Sequence, residues 1–227
     1  MFEYVTKAEY KPVKAGLQKI IAKVLSYMRS EYDTECQCKL IGSGKRHLVT
    51  RVAGGNGGYD FDYNLIISAP KLGYHYNADV VKQQFMMAFR VALKGTKYKD
   101  PQDSTSAITI KVVDKQKSRI EHSCDFAIIY YDRNRVENGY YYLKNDKRQG
   151  RYLFEFRNLS RNVDAKIDEI LEYKNGWNAI RAEYIKLKNS NRDNNKHSFS
   201  LYLEAVNNVY NQLPEDDDFY DEDDYYD

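Results

Sequence analysis

Hydrophobic positions along the chain change their period several times, and each period predicts a type of element. Apolar residues at helical spacing, with Pro12 near the start of the first run, indicate five helices, over 12–31, 78–93, 163–173, 176–189 and 198–212. Alternating or β-rich runs predict strands over 35–41, 59–67, 105–113, 120–131, 140–143 and 151–156. The short polar link at 114–118 favours an antiparallel hairpin. The pattern therefore predicts an α+β protein.

The order of these elements predicts three segments. Residues 1–158 carry the strands and two helices and are expected to form a sheet lobe with an N-terminal helix. Residues 159–213 are expected to form a helical C-terminal lobe, and 214–227 a disordered acidic tail. A cleft between two lobes is a common place for a ligand.

Charge is distributed unevenly along the chain. The tail holds nine acids and no base, so the rest of the chain has 35 bases against 24 acids. A solubilising tail is one interpretation. The other is a mimic of nucleic acid that screens a basic groove of the same molecule.

The remaining composition is typical of a cytoplasmic protein without a membrane segment. No apolar run reaches the roughly 18 residues that a transmembrane helix needs, and the N-terminus lacks the apolar stretch of a secretory signal. Three cysteines, Cys36, Cys38 and Cys124, are expected to be reduced thiols.

Two acids on one predicted strand and a third on another suggest a metal site. Asp60 and Asp62 are two residues apart on the strand predicted over 59–67, so they project from one face while Phe61 points to the core. Asp125, in the strand predicted over 120–131, is the best candidate for a third ligand, ahead of Glu121. Carboxylates suit Mg²⁺, which completes its coordination with phosphate oxygens and water.

A glycine-rich turn precedes this pair. Gly42, Ser43 and Gly44 can bring backbone N–H groups close to a phosphate, and Lys45 and Arg46 can neutralise its charge. The segment is not a Walker P-loop, because the required spacing to a Gly-Lys-Ser or Gly-Lys-Thr is missing.

Gly42-Ser43, the Asp60-x-Asp62 pair and Asp125 together resemble the DNA-polymerase-β-like nucleotidyltransferase superfamily. The nearest branch is that of oligoadenylate synthase and cyclic GMP–AMP synthase. The resemblance implies a mixed sheet with flanking helices and a helical lobe. It also implies transfer of a nucleoside monophosphate from an NTP, with ATP as the first choice, to a hydroxyl of a nucleotide, RNA or protein.

The same resemblance implies roles for individual residues. Asp60 and Asp62 would hold the metals, Mg²⁺ or Mn²⁺, and Asp125 would hold one metal and serve as a candidate base. Lys186 or Lys188 of the helical lobe would reach the triphosphate, and Tyr202 would stack on the base. The oligomeric state is left open.

Two other functions are weighed against this one. The first is a non-catalytic nucleotide- or RNA-binding module with a degenerate nucleotidyltransferase fold. The second is a hydrolase that uses Ser43, Ser123 or Cys124 with His122. The hydrolase is disfavoured, because neighbouring residues of a strand face opposite ways and no Gly-x-Ser-x-Gly occurs.

Overall fold

A computed structural model describes residues 1–71, 74–131, 139–158, 163–193 and 196–214. The chain divides into two compact units, Met1–Leu159 and Ser160–Asp227. Residues 215–227 of the predicted acidic tail lie outside the described residues.

The first unit holds three helices and nine strands in its described part. Its elements are, in chain order, β1 (Phe2–Tyr4), α1 (Lys7–Tyr32), β2 (Cys36–Ile41), α2 (Gly42–Arg46), β3 (Thr50–Val52), β4 (Tyr59–Ile67), α3 (Ala78–Leu93), β5 (Gln102–Asp103), β6 (Ile108–Asp114), β7 (Arg119–Tyr130), β8 (Gly139–Asp146) and β9 (Arg151–Asn158). The main sheet has the order β2-β4-β7-β6-β5, with β8 attached to β7 and β9 to β8. Only β4 and β7 pair in parallel; the other pairs are antiparallel, including the predicted β6–β7 hairpin.

Helix α1 begins at Lys7, five residues before the start predicted at Pro12, and a capping box explains the earlier start. The Thr6 hydroxyl accepts a bond from the Glu9 N–H at 3.3 Å, while the Glu9 carboxylate accepts one from the Thr6 N–H at 3.0 Å. These bonds satisfy N–H groups that a helix otherwise leaves unpaired at its start. Pro12 therefore lies inside the helix.

One face of the main sheet is covered by apolar side chains of α1 and α3. Leu17 and Val24 of α1 and Phe85 and Phe89 of α3 are fully buried in the same core as Phe61 of β4. Val80, which is also apolar, lies outside this buried face of α3 and is 46% exposed. The other face of the sheet carries Asp60, Asp62 and Asn64 of β4 and Ser123 and Asp125 of β7.

An irregularity in β7 sets the register of the β6–β7 hairpin. Val113 pairs with Ile120, but Val112 pairs with His122, so Glu121 is an extra residue in β7. Such a β-bulge shifts every later pair by one position. Gly58, at a φ of 64°, packs against this bulge, and a Cβ on it would lie 2.5 Å from the Glu121 carbonyl oxygen.

A buried lysine ties α3 to the short strand β5. Lys82 is 2% exposed, and its Nζ lies 2.8 Å from Asp103 Oδ1. Asp103 Oδ2 accepts hydrogen bonds from Tyr152 and, at 2.8 Å, from Asn145. A buried charge needs such partners, because transferring an unpaired ion from water into the protein interior costs several kcal/mol.

The second unit consists of three helices in its described part. They are α4 (Val163–Glu172), α5 (Gly176–Ser190) and α6 (Ser198–Tyr210). Ile170, Ile180, Tyr184 and Ala205 are among its buried residues. Across the described ranges of the chain, no helix is long and apolar enough to cross a membrane.

Candidate active site

Strands β4 and β7 bring the three predicted aspartates to the face of the sheet opposite α1 and α3. In β4 the burial alternates, so Asp60 and Asp62 share the outer face while Phe61 points into the core at 0% exposure. The parallel register pairs Asp62 with Asp125, and the residues flanking Asp125 in β7 are buried in the core. Asp62 and Asp125 are therefore side by side on neighbouring strands, which lie about 4.8 Å apart.

The glycine turn lies directly against this face. Strand β2 pairs with β4 so that Ile41 is opposite Asp62, and the chain then turns into the short helix α2. Gly42 starts that helix with a φ of 61°, and a Cβ on it would lie 2.6 Å from Asp62 Oδ2. Only glycine combines this left-handed conformation with so close an approach. Strand β2 ends at Ile41, as predicted, and the predicted turn is the start of the short helix α2.

The other residues of the turn belong to the same short helix. Ser43 follows Gly42 in its first turn, and Gly44 is buried against Phe61. Arg46 Nη1 donates to the Gly42 carbonyl at 3.3 Å and so braces the turn, whereas Lys45 is exposed. Phosphate binding by these residues stays a prediction.

The three candidates from the helical segment, Lys186, Lys188 and Tyr202, lie in the second unit. Lys188 Nζ donates to Ser198 Oγ at 3.2 Å. Tyr202 is 4% exposed, and its ring packs edge-on against Tyr184 at 6.5 Å between centroids. The roles of Lys186 and Lys188 at a triphosphate and of Tyr202 at a base stay predictions.

The aspartate face concentrates negative charge. Burial, followed by the charges of Asp60 and Asp125, raises the pKa of Asp62 to about 7. Carboxylates that are close together and partly buried favour the protonated, neutral form unless a cation neutralises their charge. The donor set, carboxylate oxygens on a common face, fits the hard cation Mg²⁺.

The carboxylates do not converge on one point as they stand. Within the described ranges, no three His, Cys, Asp or Glu side chains are grouped so that they could hold a single metal ion. One oxygen of Asp125 is already engaged, because Thr109 Oγ1 donates to Asp125 Oδ1 at 2.5 Å. Metal ligation by Asp60, Asp62 and Asp125 therefore stays a prediction that requires side-chain movement.

The structure also places polar residues on this face that the sequence alone did not single out. Thr109 of β6 is opposite Asp125, and Lys111 is opposite Ser123, which in turn neighbours Asp60. A Thr or Lys in a strand carries no signal by itself. Only the β-bulge at Glu121 determines which residues of β6 share the face of the aspartates.

The structure does not favour the hydrolase. His122 is 1% exposed and its Nε2 lies 2.9 Å from the Tyr98 hydroxyl. Burial raises the pKa of the Cys124 thiol well above its usual value, which disfavours the reactive thiolate. Ser123 points to the opposite face from both, as the sequence indicated.

Glu121, the second choice for a third acid, has a different position. It is the extra residue of the bulge, and its carboxylate lies 3.5 Å from Lys97 Nζ. Asp125, which pairs with Asp62, is therefore the better candidate.

Comparison with known proteins reveals similarity in fold but not in sequence. No protein-family model and no curated protein matches the chain. The structure of the Vibrio cholerae cyclic AMP-GMP synthase DncV with the linear intermediate 5′ pppA(3′,5′)pG matches 94% of this chain and 69% of its own, with a TM-score of 0.64 at 10% identity. The apo form of DncV covers the same shares, with a TM-score of 0.61 at 11% identity.

A second protein is also similar to this chain in fold. CdnC from E. coli MS115-1, with ATP, matches over 93% of this chain and 63% of its own, with a TM-score of 0.52 at 14% identity. The chain thus shares the fold of DncV, which confirms the α+β fold predicted from the sequence.

Proposed function

We propose that this chain is a metal-dependent nucleotidyltransferase, which transfers a nucleoside monophosphate from an NTP to a hydroxyl acceptor and releases pyrophosphate. One observation carries the proposal. Asp60, Asp62 and Asp125 share one face of the sheet, and Gly42 packs against the carboxylate of Asp62. A fold alone does not define an activity, so the proposal depends on these side chains.

The reaction would be an in-line attack of the acceptor oxygen on the α-phosphorus, which breaks the bond to pyrophosphate. Asp60, Asp62 and Asp125 would hold Mg²⁺, and the bound metal would stabilise the entering and leaving oxygens. Backbone N–H groups at Gly42 and Ser43, in the first turn of α2, would donate to a phosphate. The proton of the attacking hydroxyl would pass to a carboxylate, for which Asp125 is the candidate base.

A second nucleotide is the acceptor to test first. DncV, which has this fold, is a cyclic AMP-GMP synthase whose structure contains a linear intermediate joined 3′,5′. RNA ends and protein hydroxyls remain further acceptors within the proposal. ATP and GTP are both candidate donors, since DncV has been solved with each of them.

The test is an incubation of the full chain with each radiolabelled NTP and with all four together, in Mg²⁺ or Mn²⁺. Pyrophosphate release and labelled products are measured with and without total RNA. Asp60→Asn and Asp62→Asn should lower the rate by about 10³-fold or more, because each removes a charged metal ligand. Asp100→Asn, at an exposed aspartate away from the site, serves as the matched control.

Activity that survives in the Asp60→Asn, Asp62→Asn double variant would refute the site. The absence of any product with the unchanged chain, under all nucleotide and metal conditions, would refute the activity.

A non-catalytic nucleotide-binding module is the second candidate. The observation in its favour is that no three potential ligands in the described ranges are grouped for one metal ion. Calorimetry with ATP separates the two functions. A catalytic site should bind ATP more tightly with Mg²⁺ than in chelator, whereas a module that binds only phosphates should show no such dependence.

A further inference from the structure

A chain of two hydroxyl groups ends on Asp125. Thr109 Oγ1 donates to Asp125 Oδ1 at 2.5 Å, and Ser104 Oγ lies 2.7 Å from Thr109 Oγ1. A threonine hydroxyl has one proton, which here goes to the carboxylate, so Ser104 must be the donor in the second bond. The direction of the chain is therefore fixed, from Ser104 through Thr109 to Asp125.

This bond distinguishes the two oxygens of Asp125. Oδ1 is held by Thr109, so Oδ2 is the oxygen available to a ligand on the face that Asp125 shares with Asp62. A hydrogen bond to a carboxylate is roughly twice as strong as one between neutral groups, so it restrains the rotation of the side chain. Asp62 has no comparable hydroxyl partner in the described part of the molecule and has its Oδ2 beside Gly42.

The far end of the chain is anchored to a helix. The turn after Ser104 is closed by its N–H, which donates to the Ala107 carbonyl at 3.1 Å. Lys82 of α3 donates to the same carbonyl, also at 3.1 Å, and is paired with Asp103. The position of Ser104 is thus tied to the buried ion pair, and the hydroxyl chain links this region to Asp125.

We propose that Thr109, supported by Ser104, is the positioning residue of Asp125 and selects the oxygen that this carboxylate offers to the metal. The inference rests on the proposed function. Groups behind a metal ligand fix its orientation, and their loss typically lowers metal affinity or activity by about 10–100-fold.

The test compares variants that differ only in the hydroxyl group. Thr109→Val keeps the shape but removes the donor, while Thr109→Ser keeps the donor. Thr105→Val makes the same change at an exposed threonine in the connection between β5 and β6 and is the matched control. Ser104→Ala removes only the outer bond and provides a second, milder variant should Thr109→Val fail to fold.

Two quantities are measured for each variant. Water-proton relaxation gives the affinity of the nucleotide-free chain for Mn²⁺, and initial rates of pyrophosphate release give kcat and KM for the NTP. Thr109→Val should weaken Mn²⁺ binding by about tenfold and lower kcat by about 10–100-fold, with KM changed less than about threefold. Thr109→Ser should restore both quantities to within about threefold, and Ser104→Ala should shift them in the same direction by a smaller factor.

Unchanged Mn²⁺ affinity and kcat in Thr109→Val would overturn the inference and leave the proposed function intact. A loss in Thr109→Val that Thr109→Ser does not reverse would also overturn it, because such a loss reflects packing. A chain that binds Mn²⁺ but releases no pyrophosphate would refute the proposed function, while the Mn²⁺ comparison would still test Thr109. Absence of Mn²⁺ binding by the unchanged chain would overturn both.

Discussion

Replacing Asp62 with asparagine should stabilise the metal-free protein while it abolishes the proposed activity. Asp62 is half-buried, and burial together with the charges of Asp60 and Asp125 raises its pKa to about 7 from the ordinary value of 3.8. Each pKa unit corresponds to about 1.4 kcal/mol, so the ionised carboxylate destabilises the folded state by up to about 4 kcal/mol above pH 7. Asparagine has nearly the same shape and carries no charge.

The expected gain is smaller than this ceiling, because Asp62 retains some contact with water and its neighbours can rearrange. We expect Asp62→Asn to increase the free energy of unfolding by about 2 kcal/mol near pH 8, measured by urea denaturation in EDTA. The sign follows from the raised pKa. Below about pH 4 the Asp62 carboxyl is protonated in both the folded and the unfolded chain, so it does not affect stability. Between about pH 4 and pH 7 only the unfolded chain ionises, so the loss of folding stability grows as the pH rises. The gain should therefore vanish in acid.

Asp60→Asn is the matched control, because Asp60 lies on the same face but is exposed. It should abolish activity with a smaller gain in stability. Mg²⁺ should then stabilise the wild type more than Asp62→Asn, since bound ligand adds to folding stability by mass action. An Asp62→Asn variant that is equally stable or less stable than the wild type in EDTA near pH 8 would refute the reasoning.

Two further predictions concern the residues around the bulge. Gly58→Ala should lower stability by about 2 kcal/mol and reduce activity, because its Cβ would meet the Glu121 carbonyl; Gly54→Ala has a similar φ of 68° but open space around it, so it should cost only about 1 kcal/mol. Equal losses in the two variants, measured by urea denaturation, would contradict the contact. Burial lowers the pKa of His122 to about 4 from 6.5. Between about pH 8 and pH 5 the unfolded chain therefore binds a proton at His122 that the folded chain does not bind, and the wild type should lose about 2 kcal/mol of stability over this range. His122→Asn, which leaves Tyr98 a polar neighbour, should show a correspondingly smaller loss over that range; an identical pH profile would show that His122 does not titrate as its burial requires.

Much of the aspartate face could be predicted because it depends on local periodicity. The period of two in β4 separates Asp60 and Asp62 from Phe61 without any knowledge of the partner strand. The strand predicted over 59–67 and the helix predicted over 78–93 have the bounds that the structure gives to β4 and α3. The exposure of Val80 is harder to predict, because its spacing fits the edge of the apolar stripe, where burial depends on what covers the helix.

The start of α1 could also have been predicted from a motif that periodicity overlooks. Thr6 and Glu9 have the spacing of a capping box, which marks a helix start independently of the apolar pattern. Pro12 was a misleading signal, because proline is most common at the first position of a helix, whereas Pro12 lies inside α1.

The partner of Asp125 could not be predicted, because it depends on one extra residue in a strand. The hairpin begins with Asp114 opposite Arg119 and Val113 opposite Ile120, and an unbroken register would bring Ile108 opposite Asp125. Ile108 has no hydrogen-bond donor in its side chain. The bulge at Glu121 moves Thr109 into that place instead, and a one-residue shift also exchanges the faces on which the residues of β6 lie.

The glycine-rich turn before β4 therefore contributes to the site in a way its flexibility does not suggest. The Asn56 carbonyl accepts the Ile120 N–H at 2.8 Å, and Gly58 packs directly on the carbonyls of Ile120 and Glu121. These contacts hold the bulge, the bulge holds the register, and the register gives Asp125 its hydroxyl partner. The turn at 54–58 and the turn at 42–44 thus act on different aspartates, the first on Asp125 through the hairpin and the second on Asp62 by direct contact.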